Sequence, residues 1–307
     1  MAGYPVYETY RAAALATQVT PEGLLRVGNR AVTGAMARGN GPRRVQVERN
    51  LRRIYGPSYG GAAMARSVRR TFEFYGRYWI ESFRLPTLSK REVEARFDYT
   101  GFEWIRRSVD NGFGPIIVLP HLGGWEWAAF WTTQVAGLEL TAVVEPVEPP
   151  ELFDWFASYR ESLGMHIVPL GPEAGPKLLE AIKNRHVICL LTDRYIDGGG
   201  VAVDFFGETT TLPAGPATLS LRTGTPLLPS AIYFREPYGC HAVIGEPVEY
   251  ERKGRLRSDV TALTQILADE LEGLIRRAPE QWHLMQPNWP SDFEALGVER
   301  GAGPVGL

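Results

Sequence analysis

Short apolar runs alternate with helical segments between residues 115 and 277, and this alternation limits the folds open to the chain. The apolar runs are rich in β-branched residues, as buried strands are: Pro115–Pro120, Leu140–Val144, His166–Leu170, Val187–Thr192, Leu227–Phe234 and Ala242–Ile244. Segments with helical spacing lie between or after several of these runs: Trp125–Ala136, Pro150–Leu163, Lys177–Asn184 and Ser258–Arg277. We therefore predict an α/β fold, with a central, mostly β-sheet core flanked by helices.

The first 90 residues differ from the rest in being helical and basic. Their spacing predicts helices over Pro21–Arg38, Arg43–Ile54 and Ala62–Phe83. They contain 15 Lys and Arg against 5 Asp and Glu, a balance of +10, whereas the remaining residues contain 18 against 30, a balance of −12. Such a segment suits an anionic partner, a lipid surface or a nucleic acid, although solvated helix faces explain the charge equally well. Because composition shows no clean break, we predict one domain over 1–307, with 1–90 as a helical, membrane-facing part on an α/β catalytic core of 91–295.

Four aromatic residues form a stripe on the third of these helices. Phe72, Tyr75, Trp79 and Phe83 are three or four residues apart, which places them on one helix face. A stripe of this kind is most often part of a core, and we favour that interpretation. The alternative is an interfacial helix whose rings contact acyl chains.

Cysteine content and hydropathy exclude several classes of protein. With only Cys189 and Cys240, the chain has no disulfide framework, and we expect neither a metal site nor a cofactor. No run reaches the roughly 18 apolar residues that a membrane-spanning helix needs, and the amino terminus lacks a signal-peptide pattern. We expect a protein of the cytoplasmic compartment.

His121 and Glu126 are the strongest candidates for chemistry. His121 follows a predicted strand and precedes a predicted helix, at the sheet edge where ligands bind in open α/β folds. Five residues advance a helix by about 140° beyond a full turn, so the two side chains meet only if His121 lies in the turn. Gly123 and Gly124 permit such a turn. Glu126 would then orient an imidazole that acts as a general base; the alternative is a strand-end histidine with a local hydrogen bond.

Several blocks resemble one family of enzymes. The block His121-Leu-Gly-Gly-Trp-Glu126 resembles the His-x4-Asp/Glu motif of bacterial glycerolipid acyltransferases, and the chain more narrowly resembles the lipid A late acyltransferases. Further blocks match in order over roughly residues 70 to 290: Tyr159–Gly164, Cys189–Arg194, Asp204–Gly207 and Leu212–Ala217. Within this family, Trp282-His-Leu-Met-Gln-Pro287 and the block Val203–Glu208 are most similar to the phosphatidylinositol mannoside acyltransferases of actinobacteria.

The resemblance implies an activity and a set of site residues. It implies transfer of a palmitoyl group from acyl-coenzyme A to a mannose hydroxyl of phosphatidylinositol mannoside. It implies His121 as the catalytic base, Glu126 as its dyad partner, and a polar substrate-binding set: Glu145, Arg160, Asp193 and Arg194. Arg194 and Arg160 would contact phosphates or simply pair with carboxylates. Two positions differ from the family pattern, since Gly124 stands where Asn is common and Asp193 stands where the relatives have Glu.

The resemblance also implies a mechanism and a location. His121 would deprotonate the sugar hydroxyl, which attacks the thioester directly, and backbone amides near Gly123 to Trp125 would stabilise the oxyanion. We expect a monomer bound peripherally to the anionic cytoplasmic face of the inner membrane, with no nucleic-acid partner. The alternatives are a lipid A-type or lysophospholipid acyltransferase with a different acceptor, and a catalytically silent lipid-binding protein.

Overall fold

A computed structural model describes residues 4–195 and 200–299 of the chain. Within them the strands are β1 (Phe97–Thr100), β2 (Ile116–Leu119), β3 (Leu140–Val144), β4 (Met165–Pro169), β5 (Val187–Leu191), β6 (Gly200–Phe205), β7 (Glu208–Pro213), β8 (Leu227–Phe234) and β9 (Cys240–Ile244). Seven of them form one sheet in the order β1-β9-β8-β2-β5-β3-β4, and β6 and β7 form a separate hairpin. Neighbours in the large sheet are parallel except β8 and β9. The predicted α/β fold is confirmed.

Helices cover both faces of this sheet and build the amino-terminal part. They are α1 (Tyr4–Val19), α2 (Glu22–Met36), α3 (Pro42–Tyr55), α4 (Gly61–Arg84), α5 (Lys90–Arg96), α6 (Phe102–Asp110), α7 (Trp125–Phe130), α8 (Pro150–Ser162), α9 (Ala174–Lys183), α10 (Gly215–Thr223), α11 (Leu256–Arg276) and α12 (Pro290–Leu296). A π-helical turn, Trp131–Val135, continues α7, so together they match the predicted helix over Trp125–Ala136. No helix in the described ranges is both long and apolar enough to cross a membrane.

The central strand β2 divides the core in two because its side chains alternate between faces. Ile116 and Val118 pack in a cluster with α9, α10 and α11, whereas Ile117 and Leu119 pack in another with α6 and α7. All four are buried, as expected for a parallel strand covered on both faces. The end of β2, and therefore the turn that follows it, is held rigidly between the two layers.

The aromatic stripe of α4 serves two purposes along its length. Phe72 and Phe83 are buried in separate apolar clusters, as the core interpretation predicts. Tyr75 and Trp79, between them, are partly exposed and line the large cavity described below. The stripe is therefore core at its ends and cavity wall at its centre.

A buried acidic residue of α12 attaches the carboxyl-terminal segment to α3. Asp292 has no exposed surface, and it accepts hydrogen bonds from Gln46 Nε2 at 2.7 Å and from Arg53 Nη2 at 2.8 Å. Burial opposes ionisation of this carboxyl, but hydrogen bonds and charge from Arg49 and Arg53 outweigh it, so the pKa of Asp292 is lowered. These ion pairs fix the segment that leads into α12. Asn288, in that segment, contacts the candidate active site described below.

Candidate active site

His121 lies in the turn between β2 and α7, at the carboxyl edge of the sheet. β2 ends at Leu119, α7 begins at Trp125, and Glu126 is in the first turn of that helix, so the predicted placement of both residues is confirmed. Gly123 permits the turn, with a φ of +61° and so little room that a Cβ would lie 1.7 Å from the Ile232 carbonyl oxygen. A side chain at this position would push the histidine-bearing turn away from β8.

The imidazole of His121 is paired with Asp193. Its Nδ1 lies 2.6 Å from Asp193 Oδ1, and Trp282 Nε1 donates to Asp193 Oδ2 at 2.7 Å. Asn288 Nδ2 donates to the Asp193 backbone carbonyl at 3.1 Å. Because one ring nitrogen is held by the carboxylate, the other is left for a substrate, as in a general base. The aspartate is therefore long enough to reach His121, although it replaces the Glu of the family pattern.

The electrostatics of Asp193 favour its ionised form. The side chain is fully buried, which by itself raises the pKa of a carboxyl. The charge of His121 and hydrogen bonds from His121 and Trp282 outweigh that effect, and the pKa of Asp193 is lowered from its usual value. Asp193 is thus suited to stabilise an imidazolium at His121.

Residues 281 to 283 hold the other side of the turn. His283 N donates to the His121 carbonyl at 2.7 Å, Leu122 and Trp282 form an antiparallel bridge, and Gly123 N donates to the Gln281 carbonyl at 3.1 Å. The Gly123 amide is therefore engaged within the protein. This corrects the expectation that it would help to stabilise an oxyanion.

Glu126 occupies a buried polar cluster of its own. It accepts from Tyr78 Oη at 2.8 Å, from Arg160 Nη2 at 3.2 Å and from Ser82 Oγ at 3.4 Å. Among the described residues no hydrogen bond joins His121 to Glu126, so the predicted contact of the dyad is not present in this arrangement. The catalytic roles of His121 and Glu126 stay predictions.

Burial and the Glu126 carboxylate shift the pKa values of the residues around Glu126. Burial and then the Glu126 carboxylate raise the pKa of Tyr78 well above its usual value. Burial alone would lower the pKa of Arg160, but the neighbouring Glu126 charge prevails and raises it. The cluster therefore combines the Glu126–Arg160 ion pair with a tyrosine that stays protonated, and it joins α4, α7 and α8.

His121 opens into a cavity of about 690 Å³. The predicted site residues Glu145, Arg160 and Arg194 line it with His121, and Arg194 pairs with Glu145. Asp193 lies behind His121, and Glu126 lies behind Arg160. Most of the remaining wall is apolar and comes from β3, β5, α8, α9 and α10, with members such as Val143, Phe156, Leu178, Leu190 and Leu219.

Sequence reasoning assigned no active-site role to several residues that the structure brings here. Trp282 is the second partner of Asp193, and Arg43 and Arg222 line the cavity from α3 and α10. His283 also lines it, and burial followed by the nearby His121 lowers its pKa to about 3, which keeps its ring neutral. The only sequence signal for the tryptophan and this histidine was their place in a matching block, since they are far from His121 along the chain.

A histidine paired with a buried carboxylate therefore lies at the carboxyl edge of an α/β sheet, beside a mostly apolar cavity. The chain belongs to the bacterial lipid A biosynthesis acyltransferase family, whose family model matches residues 5–291, and it is an acyltransferase. The predicted family resemblance is confirmed.

Three relatives with assigned names show which branch of the family this chain is similar to. It is 38% identical over 291 residues to the phosphatidylinositol mannoside acyltransferases of two Mycobacterium tuberculosis strains, CDC 1551 and H37Rv, which covers 92% of this chain and 88% of each relative. It is 36% identical over 261 residues to the enzyme of that name from Mycolicibacterium smegmatis, covering 84% of this chain and 82% of the relative.

Proposed function

We propose that the protein transfers a long-chain acyl group, palmitoyl, from acyl-coenzyme A to a mannose hydroxyl of phosphatidylinositol mannoside. The observation that carries this proposal is the His121–Asp193 pair at one end of a large, mostly apolar cavity with an arginine-rich polar portion. The acceptor is inferred from the relatives, whose names specify phosphatidylinositol mannoside.

The proposed chemistry needs no covalent enzyme intermediate. The free ring nitrogen of His121 removes the proton of the sugar hydroxyl, and Asp193 stabilises the resulting imidazolium. The alkoxide attacks the thioester carbon to give a tetrahedral intermediate, which collapses with cleavage of the carbon–sulfur bond. The imidazolium then returns the proton to the departing coenzyme A thiolate, so that His121 ends neutral.

The cavity fits both halves of an acyl donor. Its volume of about 690 Å³ is within the range of roughly 300 to 1,000 Å³ usual for small-molecule sites. Its apolar wall suits an acyl chain, and the guanidinium groups of Arg43, Arg160, Arg194 and Arg222 among its lining residues suit phosphates of a coenzyme or a lipid headgroup. The carboxylate of Glu145 offers an acceptor for sugar hydroxyls.

We further propose that α1 and α2 rest on the anionic cytoplasmic face of the inner membrane. They carry most of the large exposed apolar side chains in the described ranges, among them Leu15, Val19, Leu24, Val27 and Val32. Beside them, a depression between α2 and α4 is lined mainly by arginines: Arg30, Arg38, Arg66, Arg69 and Arg70. Apolar side chains next to clustered cations are the combination that binds an anionic lipid surface.

The decisive experiment is a product assay with a panel of acceptors. The purified protein is incubated with palmitoyl-coenzyme A and phosphatidylinositol mannoside, a lysophospholipid or a lipid A precursor, and the products are identified by mass spectrometry. We expect one palmitoyl group added to the mannoside, with the rate lowered by about 10² to 10⁴ in a His121→Ala variant that still folds. Preferred acylation of another acceptor would overturn the acceptor assignment, and a near-normal rate in His121→Ala would overturn the role of His121.

A further inference from the structure

We propose that Glu139, His166 and His186 bind one divalent transition-metal ion, with zinc as the best match, which departs from our expectation from the sequence that the chain has no metal site. These residues are at the opposite edge of the sheet from His121. Each offers one ligand atom, and the three atoms all lie within 4.8 Å of one another. The site is independent of the proposed acyl transfer.

Three neighbouring strands bring these donors together. Glu139 and His186 directly precede β3 and β5, and His166 is the second residue of β4. Because β4, β3 and β5 are adjacent and parallel, their amino ends meet at one edge. His166 pairs with Thr141, two residues after Glu139, so the register itself places the donors side by side.

The distances are close to those of a metal site. His166 Nε2 and Glu139 Oε2 are already 2.7 Å apart, and the two imidazole rings have centroids 4.8 Å apart. Two ligands bound about 2.1 Å from one zinc ion at a tetrahedral angle are about 3.4 Å apart. Small rotations of the side chains would therefore bring the three ligand atoms to these distances. The ion would then replace the proton that His166 and Glu139 share.

The donor set and its surroundings suit zinc. Two imidazoles with one carboxylate are a usual zinc-binding set, with water completing the coordination. His186 Nδ1 is hydrogen-bonded to Thr141 Oγ1 at 2.9 Å, which orients the ring as outer partners do in known metal sites. The side chains of His166 and Glu139 are more than half exposed, so an ion can enter from solvent.

The position of the site indicates a stabilising role. β5 contains five residues between His186 and the edge that carries Asp193, and at roughly 3.3 Å per residue this separates the two sites by at least about 16 Å. An ion there would join β4, the edge strand, to β3 and β5. Bound zinc should therefore raise the thermal stability of the folded chain.

Zinc affinity measured by competition with a chromophoric chelator tests the site directly. We expect one zinc ion per chain in the wild type, binding weakened about tenfold or more in His166→Asn, in His186→Asn and in Glu139→Gln, and no displacement by excess magnesium. Zinc should also raise the melting temperature of the wild type in a saturable way, and this rise should be lost in the histidine variants.

His241 provides a matched control. It is a partly exposed histidine whose Nδ1 is hydrogen-bonded to the carboxylate of Asp98 on the neighbouring strand β1. His241→Asn should bind zinc as the wild type does. Absence of zinc binding by the wild type, or equal binding by a His166→Asn/His186→Asn double variant, would overturn the proposal whether or not acyl transfer is observed.

Discussion

At the scale of single residues, two buried carboxylates of the candidate site have different partners. Asp193 contacts His121, and its other oxygen is held by Trp282. Glu126 instead neutralises Arg160, which contacts α7 from α8. Under the proposed mechanism, loss of the carboxylate beside His121 affects the rate. Loss of the carboxylate that balances a buried charge affects stability first, because an unpaired buried charge is costly. The structure therefore assigns different consequences to the loss of each carboxylate.

Neutral, equally sized replacements separate these two tasks. Asp193→Asn should lower kcat by about 10² to 10⁴, since the imidazolium loses its stabilising charge. Glu126→Gln should lower the free energy of unfolding by about 3 to 5 kcal/mol, since Arg160 is left buried without its counter-charge, and should lower kcat less than Asp193→Asn does. Urea unfolding and steady-state kinetics of both variants provide the measurements. A Glu126→Gln enzyme of normal stability with the larger loss of kcat would instead support the dyad predicted from the sequence.

At the scale of elements, the turn between β2 and α7 determines where His121 lies. Its backbone is bonded to residues 281 and 283 on one side, and Gly123 packs against β8 on the other. The short helix that follows directs Glu126 inward, where α4 and α8 meet it. The geometry of the site therefore depends on a turn that has room for no side chain at residue 123.

Alanine at position 123 tests this dependence. Gly123→Ala combines a left-handed φ with a backbone clash, whereas Gly224→Ala, at a φ of +72° and with open space around it, has the backbone strain alone. We expect the control to lose about 1 to 2 kcal/mol of unfolding free energy, and Gly123→Ala to lose about 1 to 3 kcal/mol more together with most of its transferase activity. Denaturant unfolding and the product assay measure both quantities. Equal losses in the two variants would show that the turn tolerates a side chain.

The strands that the sequence predicts well are those with continuous apolar runs. The bounds of β3 and β8 agree with the predicted ones. Strands buried inside a sheet have mostly continuous apolar sequences, which are easy to detect. β1 was missed because only the first of its four residues is buried, which leaves no apolar run to detect. The helix α5 was also missed, although Ser89 and Glu92 form a capping box that its sequence displays.

The candidate site was predictable in position but not in its contacts. The end of a buried strand followed by glycines was enough to place His121 in a turn. Its contact with Asp193 depends on β5 lying beside β2, and strand order is decided by packing of the whole sheet rather than by local sequence. The hydrogen bond from Trp282 likewise needs the carboxyl-terminal segment to return across the sheet edge. The resemblance to a family predicted Asp193 as a site residue, and only the structure shows that it contacts His121 and Trp282.

At the scale of the whole molecule, the excess of positive charge and most of the large exposed apolar side chains in the described ranges lie in the amino-terminal part. Most of the basic balance of residues 1–90 lies in α3 and α4, and α4 packs against both α1 and α2, the helices that expose apolar side chains. α4 packs against α2 and also forms one wall of the cavity through Tyr75 and Trp79. A membrane bound at α1 and α2 would therefore lie against the elements that enclose the site.

Acidic residues on the exposed apolar face of α2 should weaken membrane binding. Leu24 and Val27 are 65% and 67% exposed and lie three residues apart, on one face of the helix. A Leu24→Glu/Val27→Glu variant should partition onto vesicles containing phosphatidylinositol at least about tenfold more weakly, since it loses apolar burial and adds repulsion from the anionic surface. Phe113→Glu is the matched control, because Phe113 is an exposed apolar residue near the amino end of β2, outside α1 and α2. Vesicle co-sedimentation at low and high salt measures the partition, and equal binding by both variants would show that α2 is not the membrane-binding surface.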